Sequence, residues 1–128
     1  MKLFSVLFLF ISLSASACPN LTGEYANCKN ILFGSSFNHV DLSTTYIDGI
    51  YTVHPVIDGK DEGFVTEGVN IVFGKKTLVS CVNKSIIFDQ YEGNDIVGSM
   101  ILKLNWRGDL EQRVEKDGLG VTYTCKKM

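Results

Sequence analysis

The chain has 128 residues and a formal charge of −2, with 45% hydrophobic residues, two Pro and two His. That is room for one domain, since domains run about 100 to 200 residues. The missing excess of Lys and Arg argues against nucleic acid as a partner, and aromatic and β-branched residues along the whole length argue against a disordered acidic chain.

Lys2 precedes an apolar run from Leu3 to Leu13, interrupted only by Ser5 and Ser12, and Ser14-Ala15-Ser16-Ala17 follows. A charged start, an apolar stretch and a small-residue cleavage site make 1–17 a signal peptide. Its apolar run of 11 residues is too short to cross about 30 Å of hydrocarbon, and no transmembrane span is expected. Removing it leaves a single all-β domain, 18–128, of 111 residues and charge −3. The expected location is secreted or periplasmic. Cys18 directly follows the cleavage site, the position that a bacterial lipoprotein modifies, so a lipid anchor through Cys18 is a second reading. Against it stand the four cysteines, Cys18, Cys28, Cys81 and Cys125. Lipidating one leaves an odd thiol, whereas an even count in a short secreted chain normally forms disulfides. The gaps of 10, 53 and 44 residues do not match the close pairs of a zinc site, and no metal or cofactor is expected.

Turn residues punctuate the rest at short intervals, and the runs between them are rich in Val, Ile, Thr, Tyr and Phe. Strands are predicted near 21–28, 44–48, 50–57, 64–73, 77–83 and 85–91, with none assigned to 31–42. The clearest strand is 96–106, where Ile96, Gly98, Met100, Leu102, Leu104 and Trp106 share one parity and face a core. After Arg107-Gly108-Asp109, Leu110, Gln112 and Val114 alternate with Glu111, Arg113 and Glu115. Asp117-Gly118 then leads into Leu119, Val121, Tyr123 and Cys125 on the inward parity of 119–126. No helical periodicity competes. The expected fold is all-β: an antiparallel meander closing into a roughly eight-stranded barrel, with a two-sheet β-sandwich as the alternative.

Three disulfide pairings are possible for four cysteines. A strand over 21–27 spans roughly 23 Å, too far for a bond between Cys18 and Cys28, whose Cα atoms would have to lie about 5.5 Å apart. In a closed barrel the first strand runs antiparallel to the last, which favours Cys18 with Cys125. Cys28 and Cys81 share a parity with polar neighbours, which favours pairing them.

Only His39 and His54 could act as a histidine base, and the one segment gathering Ser, His and Asp is Asn38-His39-Val40-Asp41 with Ser43. No strained nucleophile elbow accompanies it, so no catalytic residues are assigned and the protein is not expected to be an enzyme. Asp58 to Gly63 concentrates carboxylates without the spacing of a calcium loop, which suits a hairpin tip. Arg107-Gly108-Asp109 matches a cell-adhesion tripeptide at a turn, and surface adhesion is a further alternative. Asn20-Leu21-Thr22 and Asn83-Lys84-Ser85 are glycosylation sequons if the source is a eukaryote. Residues 18–73 carry a net charge of −5 and 74–128 of +2.

Leu21-Thr22-Gly23-Glu24-Tyr25 places Gly-x-Tyr in the first strand, and Lys126 and Lys127 follow the last. This resembles the calycin barrels, the lipocalin and fatty-acid-binding group, in which a Gly-x-Trp of the first strand is covered by a basic residue from the barrel's end. Small secreted lysozyme-inhibitor barrels are similar in size and disulfide use. The interior set, and thus the candidate ligand-binding set, is Tyr25, Met100, Leu102, Leu104, Trp106, Val121 and Tyr123. An eight-stranded interior is either filled by side chains or holds one small ligand, and side chains of this size favour filling. The leading function is a non-catalytic, monomeric carrier of a small apolar ligand. The alternative is a protein-binding module, such as an inhibitor of a secreted enzyme.

Overall fold

The computed structural model describes residues 18–29, 36–72 and 74–128; the signal-peptide reading of 1–17 falls outside them. Asp48-Gly49, Asp58-Gly59, Asn83-Lys84 and Asp117-Gly118 all take positive φ at both residues. That backbone twist matches the twist of paired strands, so each pair joins neighbours through a two-residue loop. The strands are β1 (Gly23–Lys29), β2 (Ser36–Ile47), β3 (Ile50–Ile57), β4 (Lys60–Asp61), β5 (Val65–Thr66), β6 (Gly68–Val72), β7 (Lys75–Val82), β8 (Ser85–Glu92), β9 (Asp95–Leu104), β10 (Leu110–Lys116) and β11 (Leu119–Lys127).

All pair antiparallel in one sheet, ordered β4-β3-β2-β1-β11-β10-β9-β8-β7-β6, with β5 also on β3. β4 and β5 therefore share one position, and the meander curls through ten positions rather than eight. One continuous sheet also disposes of the sandwich alternative. The break between β4 and β5 has a cause in β3. Pro55 accepts a bond from the Glu62 amide at 3.1 Å but has no N–H to return, so the ladder cannot continue there. The predicted strand 64–73 breaks as well, because the chain reverses at Glu67-Gly68. Gly68 has φ +111°, and the Asn70 side chain takes over the freed backbone groups, donating to Thr66 O at 2.6 Å and Gly68 O at 3.1 Å. β5 and β6 face one another without a ladder, leaving a seam in the barrel wall. β2 also occupies part of 31–42, where no strand was expected.

Tyr25 and Cys28 are both fully buried, although they lie three residues apart. Asn27, at φ 56°, is the extra residue of a bulge against β11: Ala26 pairs with Lys126 and Lys29 with Thr124. The bulge inverts the face of everything after it, turning Cys28 inward beside Cys125. The disulfides are accordingly Cys28–Cys125 and Cys18–Cys81, with Cα separations of 4.2 and 5.0 Å. The expected pairing of Cys18 with Cys125 and Cys28 with Cys81 is overturned. The antiparallel contact of β1 with β11 was the right premise, but it sets the end of β1, not its approach, against Cys125. Cys18 spends its sulfur on Cys81, which leaves no thiol there for a lipid.

Residues 18–22 lie across one end of the barrel. Leu21 is fully buried, and its amide donates to Thr44 Oγ1 of β2 at 3.1 Å. The Tyr51 hydroxyl of β3 donates to Pro19 O, and Cys18 is fixed to β7. Burial pushes the Tyr51 hydroxyl up to about 12, so it remains a donor at any physiological pH. Tyr25 closes the same end from within, donating to Leu21 O at 2.8 Å, while Lys127 Nζ lies 5.5 Å from the centre of its ring.

Candidate functional site

Between β2–β3 on one side and β8–β10 on the other, the barrel encloses a cavity of about 300 Å³. Alternation on each strand sends every second side chain inward. β2 contributes Val40 and Leu42, β3 contributes Val53, Pro55 and Ile57, and the far wall is Phe88, Met100, Leu102, Leu110 and Gln112. Glu62, Phe64, Val65, Asn70 and Ile71 complete it along the seam. The volume lies at the low end of the roughly 300–1,000 Å³ usual for ligand pockets. Among the described residues its polar lining is confined to three side chains. The Asn70 amide is held by Thr66 and Gly68, Gln112 Nε2 donates to Met100 Sδ at 2.8 Å, and Glu62 is the third.

The mouth is at the seam. Phe64 and Ile71, one on each lip, are 67% and 72% exposed and still line the cavity. The Phe64 lip is latched from outside. His54 Nε2 meets Asp61 Oδ1 at 2.7 Å, the Gly63 amide donates to the same oxygen at 2.7 Å, and the His54 ring lies 4.4 Å from that of Phe64. The Gly63 amide, and then His54, hold the Asp61 carboxyl below its ordinary value. A carboxyl lowered on folding stabilises above its ordinary pKa and loses that contribution as pH falls through the lowered one. Acidification below about pH 4 is therefore expected to free the lip, read as faster exchange and a shifted resonance of the Gly63 amide. An Asp61→Ala variant, which removes the accepting oxygen, should show the freed signature already at neutral pH.

Of the predicted interior residues, Met100 and Leu102 line the cavity. Tyr25 and Val121 are buried elsewhere, Leu104 packs on the core, and Tyr123 is half-buried. Trp106 is 87% exposed, contrary to its inward parity. β9 ends at Leu104 because Asn105 starts the turn, its Oδ1 accepting the Arg107 and Asp109 amides at 2.9 and 3.0 Å. The interior expected to be filled is hollow, and part of its wall comes from a stretch to which no strand was assigned. Val40 and Leu42 fall in the unassigned stretch, and a Pro inside the β3 run was the available sign of an interrupted neighbour.

The remaining motifs go to the outer surface or to structural bonds. His39, Asp41 and Ser43 alternate with the inward Val40 and Leu42, and His54 stands opposite Ser43 across the β2–β3 ladder with no hydrogen bond between them. Asp58 Oδ1 accepts the Asn38 and His39 amides at 3.0 and 2.9 Å. In the adhesion-like tripeptide, Asp109 Oδ1 accepts the Lys127 amide at 3.0 Å, and Arg107 stacks 4.8 Å from the centre of the Trp106 ring. Cys18, Glu67 and Cys81 bring potential metal ligands within 4.8 Å of one another, but the sulfurs are joined and only the carboxylate could donate.

No family model matches the chain, and no curated protein sequence matches it. Solved structures do. The REP1-NXSQ fatty acid transporter superposes with a TM-score of 0.57 at 11% identity, covering 84% of this chain and 96% of its own. A mutant of that transporter gives a TM-score of 0.59 at 10% identity over 84% and 98%. A mutant of the fluorescent protein UnaG gives a TM-score of 0.55 at 14% identity over 70% and 72%. The fold is thus that of the calycin barrels, and the Lys127–Tyr25 contact at the closed end is the arrangement that the Gly-x-Tyr resemblance implied.

Proposed function

We propose that this chain is a secreted, non-catalytic carrier of one small apolar molecule, held between β2–β3 and β8–β10. The observation that carries the reading is the cavity itself: among the described residues, twelve of its lining side chains are aliphatic, aromatic or thioether, and an apolar lip stands on each side of its mouth. A wall of this composition is stabilised by filling with apolar matter rather than water. Likeness to a fatty acid transporter supports the same reading at the level of fold. The two disulfides fit an oxidising compartment, and no helix among the described residues is long and apolar enough to cross a membrane.

Two measurements test it. Solvent extraction and mass spectrometry of the purified protein are expected to recover an apolar small molecule. The stripped protein should then bind phenylnaphthylamine, an uncharged fluorophore that brightens in apolar surroundings. Met100→Trp, which fills the cavity from its far wall, is expected to weaken that binding by about tenfold or more. Overpacking should cost about 1–3 kcal/mol of stability, leaving the fold intact by circular dichroism. Unchanged probe affinity in a folded Met100→Trp protein would place the probe outside the cavity and remove the carrier reading.

A second reading is favoured by Trp106. An exposed Trp stacked on an Arg at a turn has the composition of a protein-binding hot spot, as an inhibitor of a secreted enzyme would present. A protein that yields no extractable molecule and fails to bind the fluorophore would leave this reading standing.

A further inference from the structure

Carrying an apolar molecule leaves open what its polar end is, and the cavity's charges bear on that. Among the described side chains, cations stay outside the cavity. The chain has only two arginines. Arg113 points outward to Glu115 at 2.8 Å, and Arg107 lies over the Trp106 ring. Lys60, Lys75, Lys76, Lys103 and Lys116 are exposed, and none lines the cavity. Among the described lining residues no side chain carries a positive charge. Glu62 carries a negative one.

Glu62 is half-buried at the seam, and among the described residues its carboxylate has neither hydrogen-bond nor ion-pair partner. Its neighbour Asp61 differs, being spent on His54 and the Gly63 amide. A carboxylate-headed ligand entering here would meet a like charge and no counter-ion, and burying a charge unpaired is costly. The opposite charge would find both partners it needs. Glu62 offers a carboxylate for a charge-assisted hydrogen bond, and Phe64 on the same lip offers an aromatic face of the kind that attracts ammonium groups. Both Asn70 amide hydrogens already go to protein carbonyls, and Gln112, which gives one N–H to Met100 Sδ, offers an anion at most a neutral donor and no counter-charge.

Resting on the carrier reading, we propose that the cavity takes an amphipathic amine: an apolar tail among Val53, Phe88 and Leu102, and an ammonium group at the seam between Glu62 and Phe64. The selectivity is against fatty acids, although the fold is shared with a fatty acid transporter. At neutral pH an alkylamine is protonated, like lysine at an ordinary pKa of about 10.4, and the ion pair is available.

The test displaces phenylnaphthylamine from the stripped protein with decylamine, decanol and decanoate, which differ only in the headgroup. Decylamine is expected to displace it at a concentration about tenfold lower than decanol, as one charge-assisted hydrogen bond provides, with decanoate the weakest. Glu62→Gln should bring decylamine level with decanol, each read against that variant's own probe affinity, and Glu62→Lys should make decanoate the strongest. Decanoate equal to decylamine on the parent protein, or an amine advantage that survives Glu62→Gln, would overturn the proposal while leaving the carrier reading in place. Failure of the uncharged probe to bind at all would overturn both.

Discussion

A Cys28→Ala, Cys125→Ala double variant is expected to melt about 20 °C below the parent. The bond closes a loop across a sequence separation of 97 residues, and removing a cross-link of about that span releases roughly 4.7 kcal/mol of unfolded-state entropy. Its position leaves little to offset the loss. Both cysteines are fully buried at the bulge where β1 meets β11, the joint between the two halves of the sheet. Calorimetry on oxidised protein is the check, and a drop under about 5 °C would mean the ladder holds that joint unaided. The Cys18–Cys81 bond is only partly buried and ties the closing segment 18–22 to β7. A mild reductant should open it first, loosening the closed end while β1 and β11 remain joined.

Tyr25→Ala is expected to cost about 4 kcal/mol, the usual loss for truncating a buried aromatic side chain. Three layers depend on this residue. Its ring fills the closed end, its hydroxyl donates to Leu21 O at 2.8 Å, and Lys127 covers the ring from outside. Tyr25→Phe separates these contributions. It keeps the ring and deprives the Leu21 carbonyl of its donor, for an expected loss of about 1–2 kcal/mol. Urea unfolding of both variants measures the difference. Equal losses would mean that the hydroxyl, not the packed ring, secures the end.

The meander from β9 to β11 was legible because alternation and turn chemistry agree there: Leu110, Gln112 and Val114 face in, Arg113 and Glu115 face out, and Asp117-Gly118 turns. The same alternation found Met100 and Leu102 in the cavity wall. It failed where one residue breaks the period. Asn27 adds a residue to β1 and reverses the face of Cys28, so parity selected the wrong disulfide partner. Asn105 captures two amides and pulls Trp106 out of a pattern it matched by spacing alone. Pro55 interrupts the strand beside it, and the apparent run 64–73 is in fact two antiparallel pieces with the mouth between them. Glu62 read as one acid of a hairpin tip because its significance lies in the apolar surface opposite, which only the closure of the barrel brings near.

The separation of Cys18 from Cys28 also sets an order of events for oxidation. These two thiols are ten residues apart, whereas the native partners are 63 and 97 apart. In an unfolded chain, closing the short loop is favoured over closing the Cys28–Cys125 loop by about 2 kcal/mol. What forbids the short bond is β1 itself, which sits between the two thiols and holds them apart once it is extended. Correct pairing therefore depends on β1 finding β2 and β11 before Cys18 and Cys28 find each other, and an oxidant that acts early selects a chain whose barrel cannot close.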